Sequence, residues 1–285
     1  NFVSENNIIE ESDQWKLTDD EDWIHTPTSD STSDSDSALS LQGMNRSIAF
    51  SNGSIGPDIG WKVPNGFRWS DRLPGNISGR GFSRRLGDAS FFGWNGGDGT
   101  AQLHYNLISE ETWSFGINSS IRSVYEGDIA GGSTRFGEGL SSGFRLAKSI
   151  GDTTGIAFGG EQIIQWDDFT DTGRNFYFMG SKGWWLGADG YNYPLFFANG
   201  GIGTGRFANN RRWDNPLRFA CINDVEDRID SYEIDNDLCW SPIGTTGIVF
   251  NENFGSFFEY HAGNSLLGAS VALGNQSSLP TTLTW

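Results

Sequence analysis

Hydrophobic and polar positions alternate along Thr100–Tyr125 with the period of a β-strand. Ala101, Leu103, Tyr105 and Leu107 fall on one face, with Gln102, His104 and Asn106 on the other. After the polar turn Ser109–Glu111, a second arm sets Trp113, Phe115, Ile117 and Tyr125 against Ser114, Gly116, Asn118, Ser120 and Arg122. Successive side chains of a strand point to opposite faces, so a period of two predicts a hairpin and not a helix. Its arms are long. Ordinary strands run about 5–6 residues, whereas a strand that crosses a bilayer needs about 9–11.

The same design recurs downstream. Leu140, Phe144, Leu146 and Ile150 oppose Ser141, Gly143, Arg145 and Ser149, and Gly151-Asp152 turns the chain. Ile156, Phe158, Ile164 and Trp166 then oppose Gly155, Ala157, Gly159 and Glu161. Further strands are predicted at Asn175–Trp185, Pro194–Ile202 and Leu217–Cys221, and around Thr246–Phe250, Phe258–Tyr260, Leu267–Leu273 and Leu279–Trp285. Upstream, Arg46–Phe50, Asn76–Arg85 and Ala89–Trp94 read as shorter strands, and Gly53, Gly56, Pro57, Gly60, Pro64 and Gly66 as a run of turns. No helical periodicity is sustained, so the chain reads as all-β.

Connections alternate in length. Ser109–Glu111, Gly151-Asp152 and Asn251–Asn253 are tight, while 126–138, 167–174 and 222–238 are long and polar. Transmembrane barrels show that asymmetry, with short turns at one end and long loops at the other. With its long alternating arms, this loop pattern and an aromatic residue at Trp285, the chain resembles the bacterial outer-membrane β-barrels over roughly residues 89–285. The stretches Gly131–Lys148 and Asp171–Trp185 are also similar to an uncharacterised group of cyanobacterial outer-envelope proteins. The resemblance implies an antiparallel transmembrane β-barrel of about 8–14 strands at residues 46–285. It implies outer-membrane lipid as the surroundings and a passive pore or structural envelope protein as the role. It brings no catalytic motif.

Composition agrees with β structure. Of 285 residues, 39 are glycine and 14% aromatic, which suits tight turns and closely approaching backbones. No apolar run reaches about 18 residues, which excludes a spanning helix. The chain opens on Asn1, as a processed chain would. Of the net charge of −17, residues 1–38 hold −10 (eleven acids against Lys16) and residues 222–238 hold −6 (seven acids against Arg228), leaving −1 for the rest. Nucleic acid is excluded as a partner, since phosphate binding runs on Lys and Arg.

Residues 1–45 form an acidic, low-complexity N-terminal extension, with Phe2, Ile8, Ile9, Trp15, Trp23 and Ile24 scattered through it. Such a composition does not fold alone. It can serve as a plug within a barrel, as an arm on a second copy or another envelope protein, or as a solvated tail. Cys221 and Cys239 bracket the second acidic segment. Two buried thiols are one reading; a disulfide is favoured because the enclosed 222–238 is too polar for a core, and it implies an oxidising compartment.

Candidate chemistry is sparse. Gly139–Gly143 (GLSSG) matches the nucleophile-elbow spacing but lies within a predicted strand, where the motif needs a strand–turn–helix. Gly201–Gly205 resembles part of a phosphate loop without a following helix. His25, His104 and His261 share no ligand spacing. The acids between the cysteines lack a calcium-loop pattern. No cofactor, metal or catalytic set is expected. Within a barrel, the polar-face residues His104, Arg122, Arg145 and Glu161 become pore-lining candidates. Trp113, Tyr125, Trp166, Trp184 and Trp185 become candidates for the aromatic belt at the membrane interface. Two other classes fit the alternation: a secreted β-sandwich that binds glycans or a partner protein, and a subunit of a virion or surface filament.

Overall fold

The computed structural model describes residues 40–50, 53–83, 97–121, 137–167, 174–188, 192–208, 215–223, 237–273 and 281–285. The compact unit that contains them runs from Ala38 to Trp285. The strand predicted at Ala89–Trp94, residues 1–39 of the acidic extension, and most of the loops at 126–138 and 222–238 lie outside the described residues.

Two antiparallel sheets make the fold. The small one joins β1 (Leu41–Met44), β2 (Ser47–Phe50) and β3 (Ile55–Asp58) in that order. The large one begins with β4 (Gly75–Ser83), β5 (Gly97–Ser109), β6 (Trp113–Ile121), β7 (Ser141–Gly151), β8 (Thr154–Gln165), β9 (Asn175–Trp185) and β10 (Leu195–Gly203). A short 3-10 turn at Gly205–Phe207 leads to β11 (Phe219–Asn223) and the long β12 (Asp237–Asn251). β13 (Phe254–His261), β14 (Asn264–Ala272) and β15 (Thr282–Thr284) complete it. The ladder runs from β4 to β10, then β12 to β15, with β11 on the side of β12. The predicted hairpins pair as expected: Ala101↔Ile121 to Ser109↔Ser114 in one, Lys148↔Ile156 in the next.

The closed barrel expected from the sequence is not present as such. β4 and β15 are the two ends of the ladder, and the sheet stays open between them. β15 contributes three residues to its pairing with β14, against the nine that β4 pairs with β5. The sheet is nonetheless strongly curled. From β5 to β14 the ladder takes eight steps, about 38 Å in a flat sheet at about 4.8 Å per step. Yet His104 on β5 bonds Asn45, Ser270 on β14 bonds Asp58, and Ile59 N donates to Arg46 O at 2.9 Å. One small segment bridges both sides, which only a curled sheet allows.

That segment, residues 41–69, is where the structure departs most from the sequence reading. The stretch that reads as turns between Gly53 and Gly66 contains β3, and the segment is almost wholly buried. Leu41, Ile48, Phe50, Ile59 and Phe67 pack with Leu195, Phe197, Val249 and Phe257 of the large sheet. Val63 joins Ala147, Ala157, Tyr177, Met179, Phe207 and Ile243 in a second cluster. β1 (Leu41–Met44), which the sequence reading assigns to the N-terminal extension 1–45, is part of this buried segment.

Connections 84–96, 122–140, 166–174 and 204–236 fall at one end of the large sheet with the tight turn 262–263. The other end holds 110–112, 152–153, 186–194, 252–253 and 273–281. The expected length asymmetry is therefore present, with 262–263 and the two nine-residue connections 186–194 and 273–281 as its exceptions.

Candidate functional site

The two faces of the large sheet have reversed surroundings. Its polar face is buried: Gln102, His104, Ser114, Asn118, Arg145, Glu161, Ser181, Asn199, Thr245, Glu259 and Ser270 are all covered. Its apolar face is open. Leu103, Tyr105, Ile117, Leu146, Phe158, Phe178, Trp184 and Phe258 are exposed, with Ile77 at 81% and Leu267 at 82%. Strand alternation alone would permit either arrangement. The deciding factor is the segment 41–69, which lies against the polar face and ties into it strand by strand.

The ties follow from the segment's own backbone. Residues 59–69 lack a ladder of their own, so their N–H and C=O groups need partners elsewhere. Glu259 on β13 supplies the densest set. Its carboxylate accepts from the N–H of Trp61 at 2.6 Å, Lys62 at 3.0 Å and Val63 at 3.2 Å, and His261 Nδ1 lies 3.0 Å from it. Glu259 is 0% exposed, and a buried carboxylate stays charged only with such donors around it. Ser181 on β9 accepts from Gly66 N at 2.6 Å, Ser114 on β6 from Trp69 N at 2.9 Å and Ser270 on β14 from Asp58 N at 2.9 Å. Arg145 on β7 donates to Asn65 O at 3.1 Å and Phe67 O at 2.5 Å.

A second centre gathers around Glu161, also 0% exposed. It accepts from Arg46 Nη2 at 3.1 Å and Gln102 Nε2 at 3.1 Å, and pairs with Arg206 of the 3-10 turn. A bulge places it. Glu161–Ile163 of β8 stand opposite the single residue Gly143 of β7, two residues more than the ladder needs, since Phe144 pairs Gly160 and Ser142 pairs Ile164. Gln162 takes a left-handed φ of 58°, and such bulges re-aim side chains. Arg46 donates further to Lys62 O at 2.8 Å. Burial pulls its guanidinium down to about 10, opposed by the charge of Glu259, Tyr177 and Asp58, so it remains a cation at neutral pH.

The segment's backbone comes close to the backbone of β8 at Gly66. A Cβ on Gly155 would sit 2.6 Å from Gly66 O, and one on Gly66 would sit 2.8 Å from Gly155 O. Both positions require glycine so that the segment can lie flat on β8.

Of the polar-face candidates, His104, Arg145 and Glu161 all point toward the segment. His104 Nε2 takes a bond from Asn45 Nδ2 at 3.1 Å, Asn65 N donates to Asn45 O at 2.6 Å, and Arg145 holds Asn65, so these residues form one chain of contacts. They grip a segment of the protein itself, where the sequence reading has them line an open passage. Arg122 lies outside the described residues, as does Tyr125. Among the belt candidates, Trp166 and Trp184 are exposed and Trp113 is half-buried. Trp185 is a correction. Adjacent strand residues face opposite ways, so Trp184 faces outward beside Phe196 while Trp185 turns inward against Phe50 and Tyr193. Cys221 and Cys239 form the disulfide, between β11 and β12.

Sequence reasoning missed Asn45, Arg46, Asp58, Asn65 and Glu259. Glu259 carried a signal, as an acid between Phe258 and Tyr260 on the face shared with His261. The others sit in a stretch without period, and their partners lie far away in sequence. No protein-family model, curated protein or solved structure matches the chain.

Proposed function

We propose that this protein is a bacterial outer-membrane β-barrel with its interior filled by its own residues 41–69, acting as a structural envelope protein with at most a narrow passive pore. The observation that carries the reading is the reversed burial: polar face covered, apolar face open over strands long enough to cross a bilayer. Proteins in water rarely expose contiguous apolar patches beyond a few hundred Å², and in lipid such a face is the stable one. A β-sandwich in water would place its faces the other way, and Trp184-Trp185 gives it no outward aromatic pair. The filled interior favours the structural role over a wide pore. At least five apolar side chains of the segment are buried, each contributing about 1.5–3 kcal/mol.

Cell fractionation, followed by gel mobility of the detergent-extracted protein with and without boiling, tests this. Recovery in the outer membrane with heat-dependent mobility is the expected result. A species that stays in the aqueous fraction without detergent, or a sedimenting polymer, refutes it.

A further inference from the structure

Where the two ends of the ladder approach each other, the interior is not filled. A cavity of about 370 Å³ is lined by Asn76–Gly79 of β4 on one side and Thr281–Thr284 on the other, with Asn45, Arg46, Ser47 and Asp58 also in its wall. Asn76 and Ser78 pair with the inward-facing His104 and Gln102 and so point the same way, while Ile77 between them is 81% exposed. Resting on the membrane reading above, we infer that this seam is a water-filled conduit for small uncharged hydroxylated solutes of glycerol size.

Three features argue for it. First, β4 pairs with β5 on one edge and with no other described strand. In the hydrocarbon region an open edge is tolerated only where it lines water or protein, since each unsatisfied backbone group costs several kcal/mol. A polar cavity along that edge meets the requirement. Second, the charges in the wall are already engaged. Arg46 is directed to Glu161, Gln102 and Lys62 O. The Asp58 carboxylate takes the hydroxyls of Ser47, Thr282 and Thr284, the last at 2.6 Å. A solute therefore meets hydroxyls and amides such as Ser78 and Asn76 beside the apolar Met44, Ile55 and Trp61, which suits a neutral polyol better than an ion. Third, the size fits. At about 30 Å³ per water, 370 Å³ holds about twelve waters, room for a triol and not for a trisaccharide.

The test uses the full chain reconstituted in phosphatidylcholine vesicles. Both native cysteines are bonded to each other, so an introduced thiol reports alone. Ser78→Cys is expected to react with an uncharged, hydroxylated methanethiosulfonate that bilayers exclude, whereas Leu103→Cys on the outward face of β5 is protected. Vesicles should swell in glycerol and not in raffinose, and modification of Ser78→Cys should slow glycerol swelling at least five-fold. Protection of Ser78→Cys in protein that has inserted, or glycerol swelling unchanged by its modification, overturns the conduit and leaves the membrane reading standing. Failure to insert, or labelling of Leu103→Cys from water, overturns the membrane reading and the conduit with it. Should Ser78→Cys not fold, Asn76→Cys on the same face takes its place with the same outcomes.

Discussion

Leu267→Arg separates a lipid-facing sheet from one in water more cleanly than any other substitution. Leu267 is the fourth of nine residues in β14, one position from its centre, and 82% exposed. In water an arginine there would extend into solvent, and such surface changes stay within about 0.5 kcal/mol. At the midplane of a bilayer the same change costs about 2–4 kcal/mol, roughly a 30- to 700-fold fall in the folding equilibrium at 1.4 kcal/mol per decade. The assay is urea titration of refolding into phosphatidylcholine vesicles, followed by tryptophan fluorescence and gel mobility. Leu107→Arg is the internal control. Leu107 lies two residues from the end of β5 and faces outward, where depth reduces the cost to about 0–1 kcal/mol. The expected result is a large loss for Leu267→Arg and a small one for Leu107→Arg. If both variants refold as the parent does, the apolar face does not meet lipid and the reasoning from burial fails.

Three further predictions concern the grip on residues 41–69. Glu259→Ala orphans the N–H groups of Trp61, Lys62 and Val63; at about 1–3 kcal/mol each, stability should fall by at least about 3 kcal/mol. Amide exchange of Trp61–Val63 should accelerate selectively, and unchanged protection there would contradict the assigned role. Glu161→Gln leaves Arg46 and Arg206 beside a neutral amide. Breaking a buried pair costs about 3–5 kcal/mol, read as a lower urea midpoint, and a shift below about 1 kcal/mol would count against the network. Gly155→Val forces a side chain toward Gly66 O. Overpacking costs about 1–3 kcal/mol, and the Gly66 amide held by Ser181 should exchange faster; an unaffected Gly66 amide would show that the contact yields freely.

Much of the large sheet is legible in the sequence because a strand writes its period locally. Asn175–Trp185 appears with the bounds its alternation predicts, and the hairpins at 101–121 and 141–165 pair around the predicted turns. The long connections also fall mostly at one end. The segment 41–69 is illegible for a physical reason. Its backbone groups are satisfied by Glu259, Ser181, Ser114 and Arg145, which lie tens to hundreds of residues away. A chain paired to side chains needs no period of its own. Its glycines and prolines therefore read as turns, and β3 leaves no local mark.

By itself the sequence determined that the chain is all-β, that its strands are long, and which residues share a face, because alternation depends only on neighbouring positions. It also placed the two cysteines on either side of one polar loop, though their pairing needed β11 and β12 side by side. Only the tertiary structure decided which face is covered. That depends on what fills the hollow of the curled sheet, and a segment held through contacts across the whole chain fills it. The same contacts turned His104, Arg145 and Glu161 from wall residues into anchors and Trp185 from an outward ring into an inward one. They also left β4 and β15 facing a shared cavity, because the register of the last strands is set by Asp58 on the segment as well as by the ladder beside them.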